Sequence, residues 1–177
     1  MNQKANFVFV NVPSVPLTDL EEILGGKSSQ SSQLHGEPLG IIYLSSSLKK
    51  NNVVSEVTVI DYALGLLDTP YYPSAISYVR EYASAVIKDK KIDIIGISIN
   101  FSCSHKFMIL VANELKLLYP HAVIVIGGFH STNATRALLQ YDSIDYVFRG
   151  ESENSLVEFC RQFNERDLHE TKWNCKN

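Results

Sequence analysis

The chain has 177 residues, a formal net charge of -3, and 45% hydrophobic against 20% charged residues, which is the composition of one globular domain. It has no run of five or six like charges and so lacks the clustered Lys and Arg that nucleic-acid binding requires. No apolar stretch reaches the ~20 residues of a membrane span, and three widely spaced cysteines cannot form a disulfide framework. We therefore expect a cytoplasmic protein that binds neither nucleic acid nor membrane.

Short runs rich in β-branched residues predict the strands of a sheet. In chain order these runs are residues 7–12, 56–61, 92–98, 122–127 and 146–149. The third and fourth are almost continuously apolar, as expected for central parallel strands that are covered on both faces.

Stretches with helical periodicity separate the strands, at residues 39–50, 74–88, about 105–119, 133–140 and 154–164. We expect Ser102 or Ser104 to cap the third of them. The strict alternation of strand and helix predicts right-handed crossovers and helices on both faces of the sheet. The fold class is therefore α/β, a flavodoxin-like (Rossmann-like), doubly wound sheet of five parallel strands in the order 2-1-3-4-5.

One connection is too long for a minimal fold. Residues 13–38 join the first strand to the first long helix, where about 2–6 residues are usual. One helical turn is expected inside it, at residues 20–24, and the loop is interpreted as a lid, a partner surface or a partly disordered segment. Residues 1–166 are predicted to form the domain, and residues 167–177 a polar tail or linker.

Topology predicts the position of a ligand site. Open α/β sheets bind ligands beyond the carboxyl ends of the strands, where the strand order reverses. The candidates are Asn11 and Pro13 after the first strand, Asp61 after the second, Ser98, Asn100, Phe101 and Ser102 after the third, Gly127, Gly128 and His130 after the fourth, and Gly150 and Glu151 after the fifth.

The glycine pair Gly127-Gly128 allows the backbone to approach a flat or bulky group closely, although a tight turn would also explain it. Dinucleotide and P-loop sites are excluded, because neither G-x-G-x-x-G nor G-x-x-x-x-G-K-[ST] occurs. A phosphate-accepting receiver domain would need acidic residues at Asn11 and Ser98. A flavin site would need a Ser/Thr-rich loop directly after the first strand.

Several motifs occur together in a characteristic order: the segment 38–44 with Gly40, the segment 57–61 ending at Asp61, Gly96-Ile97-Ser98, Gly127-Gly128-x-His130, and Arg149-Gly150-Glu151-x-Glu153. This set resembles the N-terminal cobalamin-binding domain of cobalamin-dependent radical SAM enzymes, over roughly residues 5–163.

The resemblance implies that cobalamin lies with its corrin ring across the strand ends and its nucleotide tail between the sheet and the helices. Ser98 and the glycine pair would lie beside the tail, and Gly150 and Glu151 near its sugar and phosphate. Because Gly128 is expected to border the tail outside the core, Gly128→Leu should block binding at little cost in stability.

The lower face of the cobalt is expected to lack a protein imidazole. Many cobalamin domains use the histidine of D-x-H-x-x-G as a cobalt ligand, and this motif is absent. His35 lies in the corresponding region, but Gln33 replaces the aspartate, so we expect it to be an ordinary loop histidine. His130 is interpreted either as a partner of the corrin amides or as a helix cap.

The chain alone is not expected to be catalytic. Radical SAM chemistry needs three thiolates in a C-x-x-x-C-x-x-C motif, and the cysteines here lack that spacing. S-adenosylmethionine and an iron–sulfur cluster would therefore belong to a radical SAM domain acting in cis or in trans. Two alternatives stay open: a degenerate domain of the same fold that mediates protein interaction without corrin, and a small enzyme or flavoprotein.

Overall fold

A computed structural model describes residues 4–27, 38–67 and 71–165. Its sheet has five parallel strands in the order β2-β1-β3-β4-β5, which confirms the predicted flavodoxin-like α/β fold. The strands are β1 (Ala5–Asn11), β2 (Val54–Asp61), β3 (Ile94–Ser98), β4 (Val123–Gly127) and β5 (Tyr146–Val147).

Helices cover both faces of the sheet. They are α1 (Leu17–Leu24), α2 (Leu39–Lys50), α3 (Tyr62–Gly65), α4 (Ala75–Ile87), α5 (His105–Leu118), α6 (Phe129–Leu138) and α7 (Glu153–Glu165). Helices α1, α4, α5 and α6 pack on one face, while α2 and α7 pack on the other. Within the described ranges, no helix has the length and apolarity needed to cross a membrane.

Helix α6 begins four residues earlier than its periodicity predicts. Gly128 adopts φ 108°, which allows the chain to turn sharply out of β4. Asn100 Oδ1 then accepts a hydrogen bond from the Phe129 amide at 3.3 Å, and the Ile99 carbonyl accepts one from the His130 amide at 3.2 Å. The start of α6 is thus fixed by the end of β3, a tertiary contact that local sequence does not reveal.

The long connection after β1 differs from expectation in two respects. Helix α1 has two turns rather than one, because Leu20 and Leu24 are both buried against the core. The predicted serine cap of α5 is wrong: the buried Ser104 hydroxyl donates instead to the Pro13 carbonyl at 2.7 Å and ties the two loops together. Residues 28–37, including His35, and the tail 167–177 lie outside the described residues.

Candidate functional site

A cavity of about 340 Å3 lies between the sheet and helices α2 and α7. Its volume is within the range of about 300–1,000 Å3 that is usual for small-molecule sites. Its rim is at the carboxyl ends of the strands, next to the point between β1 and β3 where the strand order reverses. Open α/β sheets bind their ligands at this position.

Two layers of side chains form the sheet wall of the cavity. In the outer layer, Asn11 of β1 pairs in register with Ser98 of β3, which pairs with Gly127 of β4. Two residues deeper, on the same face, the inner layer contains Phe9, Gly96 and Val125 in register. The wall therefore changes from polar or side-chain-free at the rim to apolar inside.

The helices facing the sheet have the same two layers. Gly40 in the first turn of α2 and Glu153 at the start of α7 line the outer layer. One turn deeper, Leu44 and Leu156 complete the inner layer. Below it, Phe7 closes the bottom.

Most of the residues predicted from the sequence line this cavity. They are Asn11, Gly40, Ser98, Asn100, Gly127, Gly128, Gly150 and Glu151. At Gly40, Gly127 and Gly150 a Cβ atom would have no neighbour within 4 Å, so these glycines keep space open along the cavity.

Gly128 lines the cavity and also has a structural role that was not predicted. A Cβ atom at this position would lie 2.4 Å from the Ile99 carbonyl oxygen, and φ is 108°. The expectation that Gly128→Leu costs little stability is therefore wrong, because the side chain would collide with backbone rather than enter open space. Gly127 is the position from which a side chain would project into the cavity.

Two predicted residues hold the loops around the cavity and do not line it. Asp61 Oδ1 accepts a hydrogen bond from the side-chain Nδ2 of Asn11 at 2.9 Å, which positions Asn11. The same oxygen accepts from the backbone N–H groups of Ala63 and Leu64 at 3.0 Å and so caps α3. Pro13 contributes the carbonyl that accepts from Ser104.

The other three predicted residues, Phe101, Ser102 and His130, also lie outside the cavity. The Phe101 side chain is exposed to solvent. His130 Nδ1 lies 2.9 Å from Ser102 Oγ, and His130 Nε2 lies 3.0 Å from Nδ1 of His105, which the sequence did not identify. Partial burial, and then the neighbouring His105, lower the pKa of His130. His130 therefore does not cap α6, since both ring nitrogens have other partners.

The sequence prediction missed the apolar half of the cavity. The predicted site residues did not include Phe9, Val125, Leu44 or Leu156, whose apolar side chains do not distinguish them from core residues in the sequence. A usable signal existed, because the side-chain period of two in a strand places Phe9 directly beneath Asn11.

The cavity ends where α2 and α7 are joined. Asn164 Nδ2 donates to the Val53 carbonyl at 2.7 Å, and Asn164 Oδ1 accepts from the Ala5 amide at 2.8 Å. Arg161 of α7 donates to the Asn51 side chain, just after α2, at 3.3 Å. We call this region, near the start of β1, the closed end.

A doubly wound sheet with a cavity at its switch point, polar at the rim and apolar inside, is the architecture of a ligand-binding α/β domain. The family model described as "B12 binding domain" matches residues 30–160, and the chain belongs to this family.

A curated relative is the cytidylyl-2-hydroxyethylphosphonate methyltransferase of Streptomyces wedmorensis. It is 27% identical to this chain over 146 residues, which cover 77% of the chain. The chain spans 27% of the length of that methyltransferase, so the similarity concerns one part of it.

Proposed function

We propose that this chain binds cobalamin as the cofactor-holding part of a methyltransferase that works with a radical SAM domain in cis or in trans. The observation that carries the proposal is the cavity between the sheet and helices α2 and α7. In a chain of the B12-binding family, such a cavity has the position and size suited to the nucleotide tail. The relative named above supports the methyltransferase assignment.

The residues of the cavity fit a detached nucleotide tail. Near the rim, Asn11 and Ser98 offer donors to the sugar and phosphate, and Glu151 offers an acceptor to the sugar hydroxyl, while the inner layer offers apolar contact to the base. The glycines leave the volume that the tail requires. When bound, cobalamin supplies the methyl-transfer chemistry, while the protein binds it, orients it and excludes water.

The lower face of the cobalt is proposed to have no imidazole ligand from this chain. A metal-bound histidine needs one free ring nitrogen, and both nitrogens of His130 have partners in Ser102 and His105. In the Co(II) form, electron paramagnetic resonance should then show singlet cobalt lines, because no axial nitrogen splits them. Triplets that disappear in His35→Ala or His130→Ala would disprove this part of the proposal.

The decisive experiment is retention of hydroxocobalamin. The folded protein, mixed with hydroxocobalamin and passed through gel filtration, should elute with a red chromophore whose spectrum is that of the form with the base detached. Elution of all colour with small molecules would refute cobalamin binding and favour the alternative, an interaction domain of the same fold without corrin.

A further inference from the structure

Among the described residues 4–27, 38–67 and 71–165, those that form the inner layer of the cavity carry no hydrogen-bonding side chain. Its sheet wall consists of Phe9, Gly96 and Val125, and its helix wall of Leu44 and Leu156. The backbone groups of these strand residues belong to the parallel pairings of β1, β3 and β4. A group buried at this depth therefore meets apolar surface and backbone that is already paired.

One buried hydroxyl near this region has no partner, but it does not belong to the cavity. Ser45 Oγ on α2 is buried and makes no hydrogen bond. Ser45 follows Leu44 in the sequence, yet only Leu44 lines the cavity. The polar lining groups all belong to the rim, where Asn11, Ser98 and Glu153 are found.

This separation has consequences for the base at the end of a nucleotide tail. Dimethylbenzimidazole has an apolar outline and a single ring nitrogen that is free once it leaves cobalt. Adenine carries an exocyclic amino group and several ring nitrogens, which need hydrogen-bond partners after leaving water. A buried polar group without a partner loses its hydration and gains nothing in return.

Building on the proposed function, we infer that the inner layer selects the corrinoid by its lower base, accepting a benzimidazole and disfavouring adenine. Leu44, Leu156 and Val125 are the specificity-determining residues. The rim does not discriminate, because the sugar and phosphate are common to both corrinoids.

The test compares the binding of two corrinoids to the same folded protein. The dissociation constants of cobalamin and of its adenine-containing analogue would be measured by absorbance titration. We expect the adenine analogue to bind about tenfold or more weakly, the cost of leaving one hydrogen-bonding group unpaired. Adenine is the weaker base and leaves cobalt more readily than dimethylbenzimidazole does. The free energy of detaching the base therefore favours binding of the adenine analogue, which is opposite to the expected result.

Two substitutions place a hydrogen-bonding group in the inner layer without changing its volume greatly. Leu156→Gln and Val125→Thr should each reduce the preference for benzimidazole by about fivefold, the effect of one hydrogen bond. Ile42→Gln is the matched control, because Ile42 lies on α2 but is 49% exposed and does not line the cavity. In Ile42→Gln, the ratio of the two dissociation constants should equal that of the unmodified protein.

The outcomes separate the inference from the proposed function. Equal or tighter binding of the adenine analogue by the unmodified protein would overturn the base selectivity and leave cobalamin binding intact. Failure of both corrinoids to bind would overturn the proposed function and the inference with it. The unmodified protein decides between these outcomes even if the two substituted proteins do not fold.

Discussion

The two faces of the sheet use alternate residues of the same strands for different purposes. On β3, Ile95 and Ile97 point to the face covered by α1, α4, α5 and α6, where both are fully buried. Gly96 and Ser98 point to the other face, where they line the cavity. The first face, which we call the sealed face, is filled with side chains, whereas the second keeps an open volume.

The aromatic residues show the same contrast. On the sealed face, Tyr62 and Tyr78 are fully buried, and their hydroxyls donate to the carbonyls of Val79 and Tyr62 at 3.0 and 2.6 Å. On the cavity face, Phe7 and Phe9 pack against each other with ring centroids 4.4 Å apart and border empty space. The sealed face is therefore packed throughout, whereas the cavity face combines a packed cluster with an open volume.

The largest expected effect is on the stability contributed by the sealed face. Ile126→Ala removes a fully buried side chain from β4 and should lower the free energy of unfolding by about 2–5 kcal/mol. Leu44→Ala, in the inner layer, should cost less than about 2 kcal/mol, because the residue already borders open volume. Urea denaturation measures both. Equal losses would show that the cavity face contributes as much packing as the sealed face.

The next effect distinguishes the two adjacent glycines. Gly127→Leu projects into the cavity and should weaken cobalamin binding about tenfold to a hundredfold, with a change in stability within about 1 kcal/mol. Gly128→Ala should instead lower stability by about 1–3 kcal/mol, because its Cβ would meet the Ile99 carbonyl. Binding titration and urea denaturation of both variants provide the measurement. A stable Gly128→Ala protein would contradict the backbone collision.

The smallest effect concerns the polar group Ser102–His130–His105 at the carboxyl edge. Because the pKa of His130 is lowered in the folded protein, the unfolded chain binds more protons as the pH falls below about 6.5. Part of the stability that is present above this pH should therefore be lost below it. In His130→Gln, unfolding free energies measured between pH 7 and pH 5 should depend less steeply on pH. If the unfolding free energy of His130→Gln depended on pH as steeply as that of the unmodified protein, His130 would not contribute to the pH dependence of stability.

The sequence predicted those features that depend on periodicity along the chain. Helix α2 begins and ends at the predicted residues, and the parallel sheet follows from the alternation of strand and helix. Features that depend on contacts between distant segments were predicted wrongly. Ser104 bonds to Pro13 instead of capping α5, and α6 begins at Phe129 because Asn100 accepts its amide hydrogen.

The candidate site divides in the same way. The outer layer could be predicted because topology places Asn11, Ser98 and Gly127 at the strand ends. The inner layer was missed, although the side-chain period of two places Phe9 beneath Asn11, because Phe9 and Val125 have the apolar character of core residues. Only the open space beside them gives them a second role. The different requirements of Gly127 and Gly128 also depend on a distant neighbour, Ile99, that follows directly after β3.

The hydrogen bonds of Asn164 to Ala5 and Val53 fix the cavity at its closed end. Arg161 of α7 is connected there to Asn51, just after α2, at the end of the cavity away from the rim. A small rotation of one helix about that end would displace the rim most and the bottom least. The rim is therefore the part of the cavity that these bonds constrain least.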